Sequence, residues 1–385
     1  MKRAFATAGG YNVRIMRVLY LSKALVVGSY QRKMEEMAAL PNVQLTVAVP
    51  PSWRDERGEL RLERRHTHGY DLIELPLVLN GNYHLHFYRG WAELVRRVRP
   101  DIVHLDEEPY NLATWLALRA VRRVWPAAKV VWFSWQNLYR QYPPPFRWLE
   151  ADVLQRSDGA LFGNRAAADV FARKGWNGPR AVIPQFGVDP ALFPLREGWP
   201  APQGRLRVLY LGRLMPEKGL DTALQALAQL DSVSTLDIIG SGPELAHLQQ
   251  RTAALRLTER VTFTPWLPSD AVAGRMAQAD VLILPSQSRP NWQEQFGRVL
   301  IEAMAVGVPV VGSTCGEIPN VMGEAGLTFT EGDARALAAA LAALRDNPVN
   351  YAARVAAGRA RALQHFTQAS VAAQTVAFYR MVLEY

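Results

Sequence analysis

What most limits the fold of this chain is a rhythm of short aliphatic runs that is played twice, with a break between. The first series is VLYL (18–21), VQLTVAV (43–49), DIVHL (101–105), KVVWF (129–133), GALF (159–162) and RAVIP (180–184), and helically spaced stretches such as YQRKMEEMAAL and YRGWAELVRRV lie between them. Strands alternating with helices predict a mostly parallel sheet covered on both faces. The rhythm stops at VIPQFGVDPALFPLREGWPAPQGR, rich in proline and glycine, and restarts as LRVLYLG (206–212), TLDIIG (235–240), RVTFTPW (260–266), ADVLILPS (279–286) and VPVVGS (308–313). The prediction is therefore α/β: two doubly wound, Rossmann-like domains, 16–190 and 191–365, facing each other across a central cleft. The final VAAQTVAFYRMVLEY has a period near 3.6 and predicts a helix, within 366–385, that packs back toward the first domain. Residues 1–15 precede the first strand and read as a disordered extension.

Composition narrows the setting. With 385 residues and 49% hydrophobic content, each domain has enough apolar side chains for its own core. No stretch reaches the roughly 18 uninterrupted apolar residues that a membrane span needs, and the N-terminus lacks the apolar block of a secretory signal. A cytoplasmic protein is expected, at most resting on the inner face of the membrane. The lone Cys315 excludes an internal disulfide, suits a reducing compartment, and reads as a packing residue. The net charge of +9 lies wholly in residues 1–200, which hold 28 Lys+Arg against 19 Asp+Glu. Such asymmetry concerns partners rather than fold, and fits an anionic surface or a phosphorylated acceptor. Nucleic acid is not expected, because the basic residues are not interleaved with a stacking platform.

In open parallel sheets, ligands bind beyond the carboxyl ends of the strands. Three such loops in the second half carry chemistry. After LRVLYLG comes RLMPEKG, with Arg213 and Lys218 before a helix expected over 217–229. After TLDIIG comes SGPE, where Gly240 and Gly242 let backbone approach a ligand closely. After ADVLILPS comes NWQEQFGRVLIEAMAVGVPVV, with Glu294 and Glu302 on either side of Phe296 and Gly297. A helix beginning near Phe296 or Gly297 would present its first N–H groups as a phosphate seat, and the two carboxylates would fall about 8 Å apart along the axis. One carboxylate could then hold sugar hydroxyls and the other ribose hydroxyls. Glu302 sits in an apolar run, so it needs a partner to be tolerated there.

GRLMPEKG, GSGPE and EQFGRVLIEAMAVGVPVV together resemble the donor-binding signature of retaining glycosyltransferases of family 4, which have the GT-B fold. The resemblance implies that Arg213 and Lys218 bind the diphosphate of a nucleotide-sugar such as a UDP-sugar or GDP-sugar. It implies that Glu294 contacts the transferred sugar and Glu302 the ribose, with retention of configuration, no cofactor and no metal. In the first half, the helix after Gly28 is similar to the one whose start faces the diphosphate in the family. After KVVWF many members carry a histidine, where this chain has Ser134, Trp135 and Gln136.

Glu107 and Glu108, in HLDEEPYNL, are candidates to orient an acceptor hydroxyl, and the plainer reading is a cap at a helix start. His86, in GNYHLHFY, is an acceptor-side candidate, and His84 and His86 otherwise read as packing or surface; they lack a third ligand for a metal. The expected activity is transfer of a hexose to a lipid-linked or small-molecule acceptor in cell-envelope glycolipid or polysaccharide assembly. A nucleotide-sugar 2-epimerase of the same fold and a catalytically silent binding module are the alternatives.

Overall fold

The computed structural model describes residues 14–55, 58–198, 200–230 and 233–385. Of the expected N-terminal extension, 1–13 lie outside the described residues, while Arg14 pairs with Asp101 at 2.7 Å. The chain divides into two compact units. One takes in the chain up to Trp132 with Trp148–Gly159 and Tyr379–Tyr385, and the other holds Phe133–Arg147 and Ala160–Phe378.

In the first unit, Met16–Leu21 is the central strand. It pairs in parallel with Val43–Val49 on one side and Ile102–Leu105 on the other. Asp71–Glu74 lies outside Val43–Val49, and Lys129–Ser134 outside Ile102–Leu105. The order is third, second, first, fourth, fifth, so the chain reverses its winding beside the first strand. Ile102–Leu105 is buried along its whole length, as expected of a strand with helices on both faces.

In the second unit, six parallel strands follow the order Val261–Thr264, Thr235–Ile239, Arg207–Leu211, Val281–Leu284, Val310–Ser313, Leu327–Phe329. This is again third, second, first, fourth, fifth, sixth, the doubly wound arrangement. Leu220–Gln229 shows why a helix covers this sheet: Leu220, Ala223, Leu224 and Leu227 fall on one face and are all buried. Gly159–Phe162 and Arg180–Val182 also pair in parallel.

The predicted runs match strands, and the strands that escaped prediction are short and half-exposed. Ser52–Asp55 pairs antiparallel with Gly58–Arg61, and Leu77–Val78 with Phe87–Tyr88. The last helix is Gln368–Glu384. Within the first unit its buried Tyr379 hydroxyl meets His104 Nδ1, and Arg380 donates to the Pro41 carbonyl at 2.9 Å. Among the described residues, no helix is long and apolar enough to cross a membrane. Cys315 is fully buried in the core of the second unit.

Candidate functional site

The winding of the second sheet reverses between Arg207–Leu211 and Val281–Leu284, which are direct neighbours. At such a reversal the loops leaving the two strands diverge, and a crevice opens beyond their carboxyl ends. Those two loops carry Arg213 and Lys218, and Ser286, Glu294 and Gly297.

Lys218 ends a 3₁₀ turn, Pro216–Lys218, and the helix proper starts at Leu220 instead of the expected 217. Gly219 separates them with φ +66°, a left-handed conformation that suits glycine. This turn points Lys218 Nζ at Glu294 Oε2, 2.6 Å away, and Ser286 Oγ donates to the same oxygen at 2.9 Å. The ammonium also lies 4.6 Å from the Trp292 ring centroid. Both partners are largely withdrawn from solvent, with 13% and 11% of their side chains exposed. Arg213, by contrast, is exposed, and its backbone carbonyl accepts from the Tyr210 hydroxyl at 2.8 Å.

Gly297 caps the helix Arg298–Val306 with φ 74°, and a Cβ there would lie 2.7 Å from Leu284 Cδ2. The helix thus begins one or two residues after the predicted start, and Gly297 is needed for its backbone conformation and packing. Glu302 lies just over one turn inside, buried, and takes its required partner from the same helix: Arg298 Nε is 2.9 Å from its Oε1. Burial pushes the Glu302 carboxyl above its ordinary range, and Arg298 opposes that rise. Phe296 is half-buried, its ring 5.8 Å from those of Trp135 and Phe366.

Gly240 and Gly242 make a contact that sequence reading did not anticipate. A Cβ on Gly240 would sit 1.9 Å from the Gly212 carbonyl oxygen, and one on Gly242 would sit 2.2 Å from that of Leu214. Leu214 N donates to Ser241 O at 2.9 Å, and Glu244 N to Leu214 O at 3.1 Å. The glycines let two loops lie backbone against backbone, and so hold the segment that carries Arg213.

The loop after Lys129–Ser134 is bound to the Glu294 loop. Asn137 Nδ2 donates to the carbonyls of Gln293 and Glu294 at 3.3 and 3.4 Å, and Gln295 Nε2 donates to Trp135 O at 3.0 Å. Asn164, cap of the helix Arg165–Arg173, donates to Gln295 O at 2.9 Å. Ser134 is buried with its Oγ accepting from Gln136 N at 3.0 Å, Trp135 Nε1 donates to Gln185 Oε1 at 3.0 Å, and Gln136 accepts from Lys174 at 3.2 Å. Behind Glu294, Glu317 N donates to its carbonyl at 3.0 Å, and a Cβ on Gly316 would meet that oxygen at 2.2 Å. Sequence reading missed Asn137, Asn164, Ser286, Gln295 and Gly316; the one usable signal was that Asn137 directly follows the candidate residues Ser134, Trp135 and Gln136.

In the first unit, the two strands at the reversal, Met16–Leu21 and Ile102–Leu105, are followed by Lys23 and Glu107, which form a buried ion pair. Tyr88 donates to Glu107 Oε1 at 2.8 Å, His86 Nε2 lies 3.2 Å from the same oxygen, and Lys23 Nζ is 5.3 Å from the Trp53 ring centroid. Burial works to raise the Glu107 pKa, but Lys23 and His86 prevail and hold it at about 2. His86 Nδ1 faces the Asn82 carbonyl at 2.9 Å. His86 and Glu107 therefore belong to one internal cluster. The Glu108 backbone carbonyl accepts from Asn111 N at 3.0 Å and Thr114 Oγ1 at 2.7 Å just before Leu112–Val124, whose cap residue is Asn111. Gly28 opens a 3₁₀ turn, Gly28–Gln31, and its N–H donates to the Glu63 carboxylate at 3.1 Å. Among the described residues, no group of three or more His, Cys, Asp or Glu could hold a metal ion.

Residues 194–361 match the family model of "Glycosyl transferases group 1". A GDP-mannose-dependent alpha-(1-6)-phosphatidylinositol monomannoside mannosyltransferase of Mycolicibacterium smegmatis is 35% identical over 166 residues, 41% of this chain and 44% of that protein. A 2-deoxystreptamine glucosyltransferase of Streptomyces kanamyceticus is 31% identical over 179 residues, 45% of each. The chain thus spans about half the length of the curated relatives it matches. Over nearly its whole length the fold is shared with solved structures. HepE of Anabaena in complex with UDP superposes with a TM-score of 0.70 at 18% identity, covering 95% of this chain and 100% of that one. Sucrose-phosphate synthase from Thermosynechococcus elongatus gives 0.68 at 21% identity, covering 96% and 99%. The architecture is the GT-B fold.

Proposed function

With 194–361 matching glycosyl transferases group 1 and nearly the whole chain sharing the GT-B fold, we propose that this protein moves a hexose from a nucleoside-diphosphate-sugar to an acceptor hydroxyl, with retention of configuration. The carrying observation is the Lys218–Glu294 pair at the strand-order reversal, with Arg213 on the same loop. An ammonium has three N–H donors, so Lys218 can keep Glu294 and also hold a diphosphate oxygen. Arg213 adds a planar, permanently charged fork for the same group. Glu294, held by Lys218 and Ser286, then faces the hexose with its remaining acceptor capacity, and Glu302 serves the ribose.

In the reaction the bond from the sugar C1 to the phosphate oxygen breaks, the acceptor oxygen bonds C1 on the same face, and its proton passes to the departing phosphate oxygen. Lys218 and Arg213 stabilise the charge that grows on the leaving diphosphate. No metal is assigned a role. A solved neighbour was crystallised with UDP-glucose, and a relative is named as GDP-mannose-dependent, so both nucleotide classes belong in the trial. The acceptor is assigned to the membrane surface, as a lipid-linked species, on the N-terminal charge excess.

The test is incubation of the pure protein with UDP- and GDP-sugars, measuring thermal shift and slow nucleotide release with and without EDTA. Stabilisation and release in the presence of EDTA are expected. A changed nucleotide-sugar without transfer would indicate epimerisation, no response to any donor would leave a binding module, and activity lost in EDTA and restored by manganese would overturn the metal-free reading.

A further inference from the structure

Away from the donor loops, the first unit holds a groove of about 690 Å³ lined by five arginines: Arg96, Arg119, Arg122, Arg123 and Arg156. It runs along Trp91–Val98 and Leu112–Val124. Helical spacing puts Arg119 and Arg123 one turn apart on one side, with Leu116 and Ala120 beside them. The small Ala92 and Ala120 leave the space open. Three of the groove's residues, Ala92, Leu116 and Ala120, also line a second cavity of about 310 Å³, walled by Phe87, Trp91 and Ala117. A cationic trough thus shares a wall with an apolar pocket.

Carboxylates answer only part of this charge. Arg96 pairs with Glu93 at 3.3 Å, Arg122 with Asp158 at 2.6 Å, and Arg119 and Arg156 share Asp152 at 3.2 and 2.6 Å. Arg123 is exposed and forms no ion pair with the described residues. Five guanidinium groups against three carboxylates leave net positive charge. Guanidinium forks match phosphate geometry, and an apolar pocket that shares their wall would suit a chain attached to that phosphate. We propose that this groove seats one anionic phospholipid, its phosphate between Arg96, Arg119 and Arg123 and an acyl chain in the pocket beneath Ala120. The proposal deepens the membrane-borne reading of the acceptor and rests on that reading for its biological setting, though not for the binding itself.

A lipid that stays monomeric separates the two. Titration calorimetry of the full-length protein with dihexanoyl-phosphatidylglycerol, below its micelle concentration, should show saturable binding. Dihexanoyl-phosphatidylcholine has the same phosphodiester but adds a trimethylammonium cation that the arginines repel, so it should bind at least about 10-fold more weakly, and inorganic phosphate should not saturate over the same range. The double variant Arg96→Ser, Arg123→Ser should lose about 10-fold or more in affinity, and Arg123→Lys, which keeps charge but not the fork, should fall between. Ala120→Leu, filling the apolar pocket on a helix-favouring residue, should weaken the lipid with every arginine in place. Circular dichroism checks that each variant is folded. No saturable binding, equal binding of phosphatidylcholine, phosphate binding as tightly as the lipid, or variants equal to wild type would each overturn the proposal. Lipid binding in a protein that transfers no sugar would support the groove while removing the proposed function.

Discussion

Lys218 Nζ and Glu294 Oε2 are 2.6 Å apart, although 75 residues of chain separate them, because the loops leaving the first and fourth strands of the second sheet meet at the reversal of strand order. Each residue is thus the other's positioning device, and neither can be changed alone without affecting its partner. Lys218→Ala should reduce transfer about 10- to 150-fold, the worth of one charge-assisted hydrogen bond of about 1.5–3 kcal/mol, and should leave Glu294 with Ser286. Glu294→Gln should chiefly lower kcat, since the sugar moves in the transition state, while Glu302→Gln should mainly raise KM for the donor. In a double-mutant cycle, Lys218→Ala and Glu294→Gln should be non-additive by about 0.5–3 kcal/mol. Additive losses would mean that the pair does not act as a unit.

Gly240→Ala and Gly242→Ala test the view that these glycines support the Arg213 loop. Each Cβ would press on a backbone carbonyl, at 1.9 and 2.2 Å, and backbone yields less readily than the end of a flexible side chain. Lower melting temperatures are expected together with a raised KM for donor. Gly274→Ala is the control, since nothing lies within 4 Å of a Cβ there and the site is helical. If the Gly240 and Gly242 variants melted like that control, the loop contact would carry no weight.

The fold was legible wherever a strand was buried on both faces, because such a strand must be written in continuous aliphatic residues. Val281–Leu284 and Gly159–Phe162 are examples. Asp71–Glu74 was not legible: it lies at the edge of its sheet, carries a charge at each end and is partly exposed, so no apolar run marks it. The same logic divides the site. Glu302 stood out as a carboxylate in an apolar helix. Asn137 and Asn164 did not, because a side-chain amide that bonds backbone carbonyls from another loop leaves no local pattern, and its partners are 156 and 131 residues away. The loop contact made by Gly240 and Gly242 was not legible for a related reason: a close approach of backbone to backbone and of backbone to ligand both call for glycine.

Glu107 and Glu302 are both buried, but their pKa values move in opposite directions, which gives opposite pH dependences. Glu107 is held at about 2, below its unfolded value, so it adds stability above the unfolded value that is lost as pH falls from about 4.5 through 2. Glu302 is raised, so its contribution is complete below the ordinary value of 4.5 and is lost as pH rises through its folded pKa. Melting curves between pH 4 and pH 8 should therefore show wild type gaining on Glu302→Gln as pH falls. Glu107→Ala should be destabilised by about 3 kcal/mol or more in urea unfolding at pH 7, since it leaves the Lys23 ammonium in the cluster without its carboxylate. A Glu302→Gln difference that did not change with pH would show that Glu302 titrates as it does in the unfolded chain.

Asn137 and Gln295 tie the loop after Lys129–Ser134 to the one that carries Glu294, by bonds in both directions. Both amide nitrogens are engaged by backbone carbonyls of the opposite loop. Their effect would run through the backbone on which Glu294 rides. Each neutral hydrogen bond is worth about 0.5–1.5 kcal/mol in stability, and a small displacement of a positioned group costs disproportionately in rate. Asn137→Ala and Gln295→Ala should accordingly lower the melting temperature slightly, leave donor KM nearly unchanged, and reduce kcat more than their stability loss explains. Asn137→Asp sharpens the test, because a carboxylate cannot donate to the Gln293 and Glu294 carbonyls and would repel them; it should be slower than Asn137→Ala. Wild-type kcat in Asn137→Asp would show that the two loops position Glu294 independently of each other.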